Sequence, residues 1–336
     1  MIKPGRLVKR SLGHIRELCL APVRYASNAI DEPAIILAYH RVAKLNCDPQ
    51  MLAVYPEVFC RHMEWLARHC TLLTADAFLS CLRRGTFPRR GVLLTFDDGY
   101  ADNLHQALPV LEALRAQAIF FVTTSNIGTA RMLWWDSLES ILLSERPLPR
   151  SLSIPLGQRI CALKTGTRKE RRESYDRLHR LMKYCSPESR EEALDWLSRW
   201  SGISLTGNHD HRLLSRDEVR RLHSSAAAVI GAHGDTHTPL SMFDYRGQLE
   251  EIGRSRAFLE AELNAAVRYF SYPFGTRRDY NLDSVRACTQ LGFVLACANR
   301  RSQVHRWTAA LDLPRMIVRN WSEEVFARKV SAFFRY

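Results

Sequence analysis

LLTFDDGY, Leu93 to Tyr100, ends an apolar run in two adjacent carboxylates followed by a glycine. A short β-rich apolar run of this kind reads as a buried strand that delivers side chains at its C-terminal end. Neighbouring carboxylates repel each other unless a cation or a shared proton compensates, and Gly99 lets the chain turn sharply after them. Asp97 and Asp98 are therefore candidates for chemistry, with a plain DDG turn as the other reading.

Working outward, four more runs have the same form: AIILAYH (Ala34–His40), AIFFVTT (Ala118–Thr124), AAVIGAH (Ala227–His233) and RYFSYPFG (Arg268–Gly275). PEVFCRHMEWLARH, ALPVLEALRAQ, QLEEIGRSRAFLEAEL and LDSVRACTQLGF fall outside these runs and carry apolar residues at three- and four-residue spacing. Strand and helix alternate as βαβ units do, which predicts a parallel α/β sheet or barrel. From about Trp134 to Arg216 the alternation lapses into a stretch rich in Lys, Arg and Glu, which predicts a helical insertion with solvated charged faces.

The 336 residues suffice for one large domain or two ordinary ones. Hydrophobic residues at 46% and charged residues at 25% exclude a disordered or membrane-spanning chain. Nine cysteines without a CxxC pair suggest neither a disulfide framework nor a cysteine zinc site, and fit a reducing compartment. The basic N-terminus lacks a continuous apolar core, being interrupted by His14, Arg16 and Glu17, and reads as uncleaved. Residues 1–28 form a separate basic segment, in which Leu7, Leu12, Ile15 and Leu18 or Leu20 recur near helical spacing. Two readings stand: a helix on an anionic membrane surface, or an ordinary docked terminal helix. The net charge of +13 fits both; no zinc-finger spacing, aromatic RNA-binding signature or basic-region heptad accompanies it, so nucleic acid is not expected.

In GAHGDTHTPLS, His233 and His237 stand four apart directly after a predicted strand. Two imidazoles and one carboxylate of the Asp97–Asp98 pair suit Zn²⁺ or another divalent ion. GNHDHR offers a competing cluster, His209, Asp210 and His211, which no strand delivers and which reads as a solvated loop.

TFDDGY, HGDTH and FSYPFG, in this order, resemble the first three motifs of the polysaccharide deacetylases, carbohydrate esterase family 4, also called the NodB-homology domain. The resemblance runs from about Ala34 to the C-terminus and implies an irregular (β/α) barrel over residues 29–336, with the helical insertion at about 134–216. It implies that Asp98, His233 and His237 bind the metal while Asp97 is the catalytic base, because a three-ligand zinc site leaves room for a water whose proton a neighbouring carboxylate can take. The family's late Leu-x-His motif, the usual acid, is missing, and His305 has no such setting. A branch with an N-terminal Y-H motif makes His40, in ILAYHRV, the candidate acid. The backbone N–H of Phe274 corresponds to the family's oxyanion donor, in a turn set by Pro273 and Gly275. Tyr272, Pro273 and Trp135 are the expected substrate contacts, with Trp134 and the Phe274 ring as further aromatics for sugar stacking.

Two departures from the common pattern accompany the resemblance. Gly234 replaces a hydroxyl that braces the H-[S/T]-x-x-H loop, so a looser site is expected. Ser271 replaces an arginine that orients the base, and Arg268 stands three residues too early to be assumed a substitute. The expected activity is metal-dependent removal of N-acetyl groups from amino sugars of a surface polysaccharide or its lipid-linked precursor. O-acetyl or N-formyl removal is the alternative chemistry, and an inactive glycan- or membrane-binding relative the alternative class. The N-terminus points to a cytoplasmic location, with peripheral attachment to the inner membrane if the basic segment binds lipid.

Overall fold

The computed structural model describes residues 27, 28, 30–157, 159–206 and 209–334. The basic periodic segment from Arg6 to Leu20 lies outside them. Eight strands build the centre: β1 (Ala34–Tyr39), β2 (Gly91–Phe96), β3 (Ala118–Val122), β4 (Ala228–Ala232), β5 (Tyr269–Ser271), β6 (Leu295–Ala298), β7 (Leu313–Pro314) and β8 (Met316–Ile317). All pair in parallel, in the spatial order β7-β6-β5-β4-β3-β2-β1-β8, and Thr71–Leu72 adds a short strand beside β2. Every residue of β1, β2 and β3 is buried, which is why these strands are continuous apolar runs in the sequence.

The two ends of this path are joined by a single residue. β7 pairs with β6 (Cys297 opposite Leu313) and β8 with β1 (Leu37 opposite Met316), so the chain passes from one edge of the sheet to the other at Arg315. The sheet thereby rolls into a nearly closed (β/α) barrel, as expected. By the two-residue strand period, Leu93, Thr95 and Asp97 share a face, and Arg315 reaches that face to bond Thr95 and Asp97. Ile36, Ile119, Phe121 and Cys297 join Leu93 in one apolar cluster, while the opposite strand faces, with Leu37, Phe96 and Phe120, form the larger core under the surrounding helices.

The helix over Pro56–His69 spans the residues that the apolar spacing marks. The insertion departs from expectation. Besides helices at Arg168–Met182 and Pro187–Ser201, it contains an antiparallel hairpin, Ser151–Leu156 with Arg159–Lys164, burying the alternate residues Leu152, Ile154, Cys161 and Leu163. Arg190, from its charged stretch, is buried as well. All cysteines among the described residues are free thiols. No helix among these residues is long and apolar enough to cross a membrane.

Candidate active site

Asp97 and His233 each extend a strand by one rung: the Asp97 N–H donates to Tyr39 O at 3.0 Å, and the His233 N–H to Val122 O at 3.0 Å. His40 follows β1 directly, so all three stand at the C-terminal rim of the barrel, where barrel strands present functional groups. Asp98 leaves the ladder. Its φ of +79° and that of Gly99, +87°, swing the second carboxylate away from the inner face that Asp97 occupies. Asp98, His237 (φ +52°) and Phe274 (φ +59°) are non-glycine residues held in the left-handed region at one site, a strain that the surrounding structure must over-determine.

Asp98 and the two histidines converge. Asp98 Oδ1 lies 3.3 Å from His237 Nε2 and 3.6 Å from His233 Nε2, and the two Nε2 atoms are 3.2 Å apart. His233 Nδ1 sits 2.7 Å from Ser271 O; as the donor there, it leaves the Nε2 lone pair directed at the cluster. His237 is packed instead, with the Trp135 and Phe274 rings at 4.7 and 4.6 Å. Burial holds both imidazoles neutral, pulling His233 down to about 4 and His237 to about 3, and pushes Asp98 up to about 6. Buried lone pairs crowded in this way fit a bound divalent cation, which would relieve the repulsion and ionise Asp98.

Asp97 has a separate partner. Arg315 grips it with two hydrogen bonds, Nη1 to Oδ1 at 2.7 Å and Nη2 to Oδ2 at 2.6 Å, and also donates to Thr95 Oγ1, Ser271 Oγ and Asn299 Oδ1. Burial pushes the Asp97 carboxyl up, but the Arg315 guanidinium outweighs it and holds the group well below the usual carboxylate range. The two carboxylates are thus differentiated by an arginine on one and the histidine pair on the other. Both line a cavity of about 170 Å³ together with His40, Trp135, Phe274 and Asn299. His40 Nε2 is 3.9 Å from Asp97 Oδ2, and burial lowers its pKa.

A sequence profile described as polysaccharide deacetylase matches residues 84–146 and 191–296, half of the chain. The chain belongs to the polysaccharide deacetylase family. The poly-beta-1,6-N-acetyl-D-glucosamine N-deacetylase of Staphylococcus aureus strain MRSA252 is 28% identical over 127 residues, which cover 31% of this chain and 44% of that protein. The chain spans less than half the length of the curated relatives it matches. Among solved structures, the Streptococcus pyogenes deacetylase PplD in complex with acetate superposes with a TM-score of 0.58 at 16% identity, covering 89% of this chain and 99% of that one. IcaB from Ammonifex degensii gives 0.57 at 17% identity, over 90% and 97%. These two share the fold.

The family match covers both ends of the segment read as an insertion. It includes the helix Trp134–Leu142, whose Trp135 lines the cavity, and leaves out residues 147–190, which hold the hairpin and the helix Arg168–Met182. Of the expected substrate contacts in this deacetylase-family chain, Trp135 faces the cavity but Tyr272 does not. Tyr272, just beyond β5, is fully buried, donates its hydroxyl to Leu311 O at 2.7 Å and stacks on Tyr280. Pro273 is buried beneath the Gly234 loop. Trp134 packs against His179 and Arg190 of the insertion. His305 pairs with Asp31, away from the cavity.

Both departures from the family pattern have structural answers. Arg315, from the seam between β7 and β8, grips Asp97, and the Ser271 hydroxyl accepts a bond from it. The loop of Gly234 is braced from outside: Glu251 Oε1 accepts from the Thr236 N–H at 2.7 Å, and Thr124 Oγ1 donates to Asp235 at 2.8 Å. With φ at +77° and Glu251 and Pro273 each 3.2 Å from where a Cβ would stand, the loop favours glycine.

The solvated-loop reading fails for His211. It is buried, 3.3 Å from Asp136 Oδ1 and 3.6 Å from Glu139 Oε1, and these three form a second His/carboxylate cluster among the described residues. Arg41 Nη1 lies 3.1 Å from His211 Nδ1, and Arg41 also pairs with Asp102 at 2.9 Å. A guanidinium already provides the positive charge there, so the residues fit a resident cation less well than the Asp98 cluster does. The Arg41 network reaches the cavity through Asp136, which accepts from Tyr100 Oη at 2.7 Å, and Trp135, whose Nε1 donates to Tyr100 Oη at 2.9 Å.

Proposed function

We propose that this chain is a divalent-cation-dependent hydrolase that removes N-acetyl groups from amino sugars of a surface polysaccharide or its lipid-linked precursor. The observation that carries the reading is the split pair: Asp97 held ionised by Arg315, and Asp98 joined to His233 and His237, both facing one cavity. The name of the Staphylococcus aureus relative supports N-acetylglucosamine polymers as the substrate class.

Asp98, His233 and His237 would hold Zn²⁺ or a similar ion, which when bound activates water and polarises the acyl carbonyl. Asp97 Oδ takes the proton of the attacking water; its pairing with Arg315 keeps it unprotonated and correctly aimed before the reaction begins. His40 Nε2, 3.9 Å away, is the group that gives a proton to the departing amine. An imidazole binds a proton more tightly than a carboxylate, so a proton accepted at Asp97 is better held at His40. The Phe274 N–H, fixed by the left-handed turn, is the backbone donor for the developing oxyanion, worth about 3 kcal/mol in comparable sites. The same geometry serves O-acetyl or N-formyl groups. The inactive-relative reading loses its two supports, since Arg315 and Glu251 supply what Ser271 and Gly234 do not.

Acetate release from an N-acetylglucosamine oligomer or a lipid-linked sugar, measured beside bound metal, tests the roles. Asp97→Asn should keep the metal and lose about two to four orders of magnitude in rate, whereas Asp98→Asn should lose both. Wild-type turnover by Asp97→Asn would overturn the assignment.

A further inference from the structure

Arg319 lines the same cavity as His40, half-buried, and among the described residues no carboxylate lies within ion-pair distance of it. Arg41, Arg300 and Arg315 each have one. Asp48, whose charge Arg319 feels, spends its two oxygens on the Leu52 and Ala53 N–H groups at 2.9 Å each. Among the described residues only Nη1 of Arg319 is engaged: it donates to Gln50 O at 2.9 Å and to Met51 O. These two carbonyls fix the plane of the guanidinium and leave Nε and Nη2 without an acceptor among those residues.

The charges around the cavity sharpen the point. Asp97 is already paired with Arg315 and offers Arg319 no counter-charge. Holding an uncompensated guanidinium in a partly desolvated cavity is unfavourable unless an anion completes it. A guanidinium with two free donors in one plane matches the paired oxygens of a phosphate or carboxylate.

We infer that Arg319 recognises an anionic oxygen group, phosphate or carboxylate, carried by the amino sugar presented to this cavity. The inference rests on the deacetylase reading for the identity of the sugar, while the anion site itself stands on the unpaired guanidinium. The competing role is mechanical: Arg319 as a clamp on the Gln50–Met51 turn, which would support all substrates alike.

The test uses the zinc-loaded full chain as wild type, Arg319→Gln and Arg319→Lys, with thermal melts confirming that each folds. Acetate release is measured on matched pairs: N-acetylglucosamine 1-phosphate against its neutral methyl glycoside, and a glucuronate-ended N-acetylglucosamine oligomer against the all-neutral oligomer. The charged-to-neutral ratio of kcat/KM should favour at least one charged substrate in the wild type. In Arg319→Gln it should fall by roughly 10- to 100-fold, the worth of a hydrogen bond to a charged group, with partial recovery in Arg319→Lys. The pair that responds tells phosphate from carboxylate. A ratio equal in wild type and Arg319→Gln, including equal losses on both members of each pair, overturns the inference and leaves the deacetylase reading standing. Calorimetric titration with the same four compounds separates the two claims. Arg319-dependent binding of a charged sugar without turnover of any compound supports the anion site and sinks deacetylation; absence of both sinks both.

Discussion

Arg315→Met is the most informative single perturbation, because it removes the cation from a carboxylate that stays buried. In the wild type, Asp97 accepts two charge-assisted bonds at 2.7 and 2.6 Å with both side chains fully buried. Deleting one partner of such a pair costs about 3–5 kcal/mol, since the surviving charge has neither water nor a counter-ion. The pH dependence follows from the direction of each shift. In the wild type the Asp97 pKa is depressed, so its contribution is present above the unfolded value near 4 and is lost as pH falls through the folded value. In the variant, burial without the guanidinium raises the same pKa, so stability is lost as pH rises from about 4 toward the folded value. The gap between the two proteins therefore opens with rising pH at no more than about 1.4 kcal/mol per unit, and a gap of 3–5 kcal/mol needs roughly 2 to 4 units to develop. Chemical unfolding of the chelated proteins from pH 4 to pH 8 should show a small deficit at the acid end, from the lost bonds to Thr95, Ser271 and Asn299, and the full deficit near pH 8. Arg315→Lys, which keeps the charge without the two-pronged grip, should show a smaller deficit and a shallower slope. In kinetics the acid limb of kcat/KM should move upward in pH for Arg315→Met. A deficit below about 1 kcal/mol at every pH, or one that widens toward acid, would refute the pairing argument.

His40→Ala should keep the metal and slow N-acetyl sugar hydrolysis by about 10²- to 10⁴-fold, while activated aryl acetates, whose leaving group needs no proton, are affected far less; equal loss on both kinds of substrate would remove His40 as the acid. His211→Ala should lower stability by about 2–3 kcal/mol by leaving Asp136 and Glu139 buried against fewer partners, with stoichiometric metal retained; a solvated loop histidine would cost under about 0.5 kcal/mol. Gly234→Ala should cost about 1–2 kcal/mol from backbone strain at φ +77° and from the approach of Glu251 and Pro273, and a metal titration should show weaker binding as the histidine loop shifts.

The elements that carry the site were legible because local signals specify them. Continuous apolar runs marked β1 to β5, and polar residues at the ends of those runs marked the rim. What was not legible depended on closure. Asp97 and Arg315 are 218 residues apart, and nothing near LPRMIV says which carboxylate the arginine meets. A charged residue inside the apolar run from Leu313 to Val318 was nonetheless a usable signal, since a buried arginine implies a buried acid. The burial of His211 likewise rests on Asp136 and Glu139 in a distant helix. Two misplacements were avoidable from the pattern alone. Once Ser271 faces inward, the strand period sends Tyr272 outward, and SLSIPL alternates as a hairpin strand does.

On the proposed roles, the location of Arg315 accounts for a serine in the third motif. An arginine that grips Asp97 need not lie beside that motif; it must only reach the inner face at the C-terminal rim, and the residue between β7 and β8 does so by geometry. Its five bonds touch Thr95 of β2, Asp97 beyond β2, Ser271 of β5 and Asn299 beyond β6. The same side chain that joins the two edges of the barrel thus holds Asp97 ionised beside the Asp98–His233–His237 cluster. A barrel that failed to close at this seam would lose the counter-ion of Asp97, and with it the difference in environment between two adjacent aspartates. If Asp97 is the base proposed above, closure and catalysis are coupled through one guanidinium, and variants that weaken the β7–β6 or β8–β1 pairing without touching the cavity should shift the acid limb of the pH profile in the same direction as Arg315→Met.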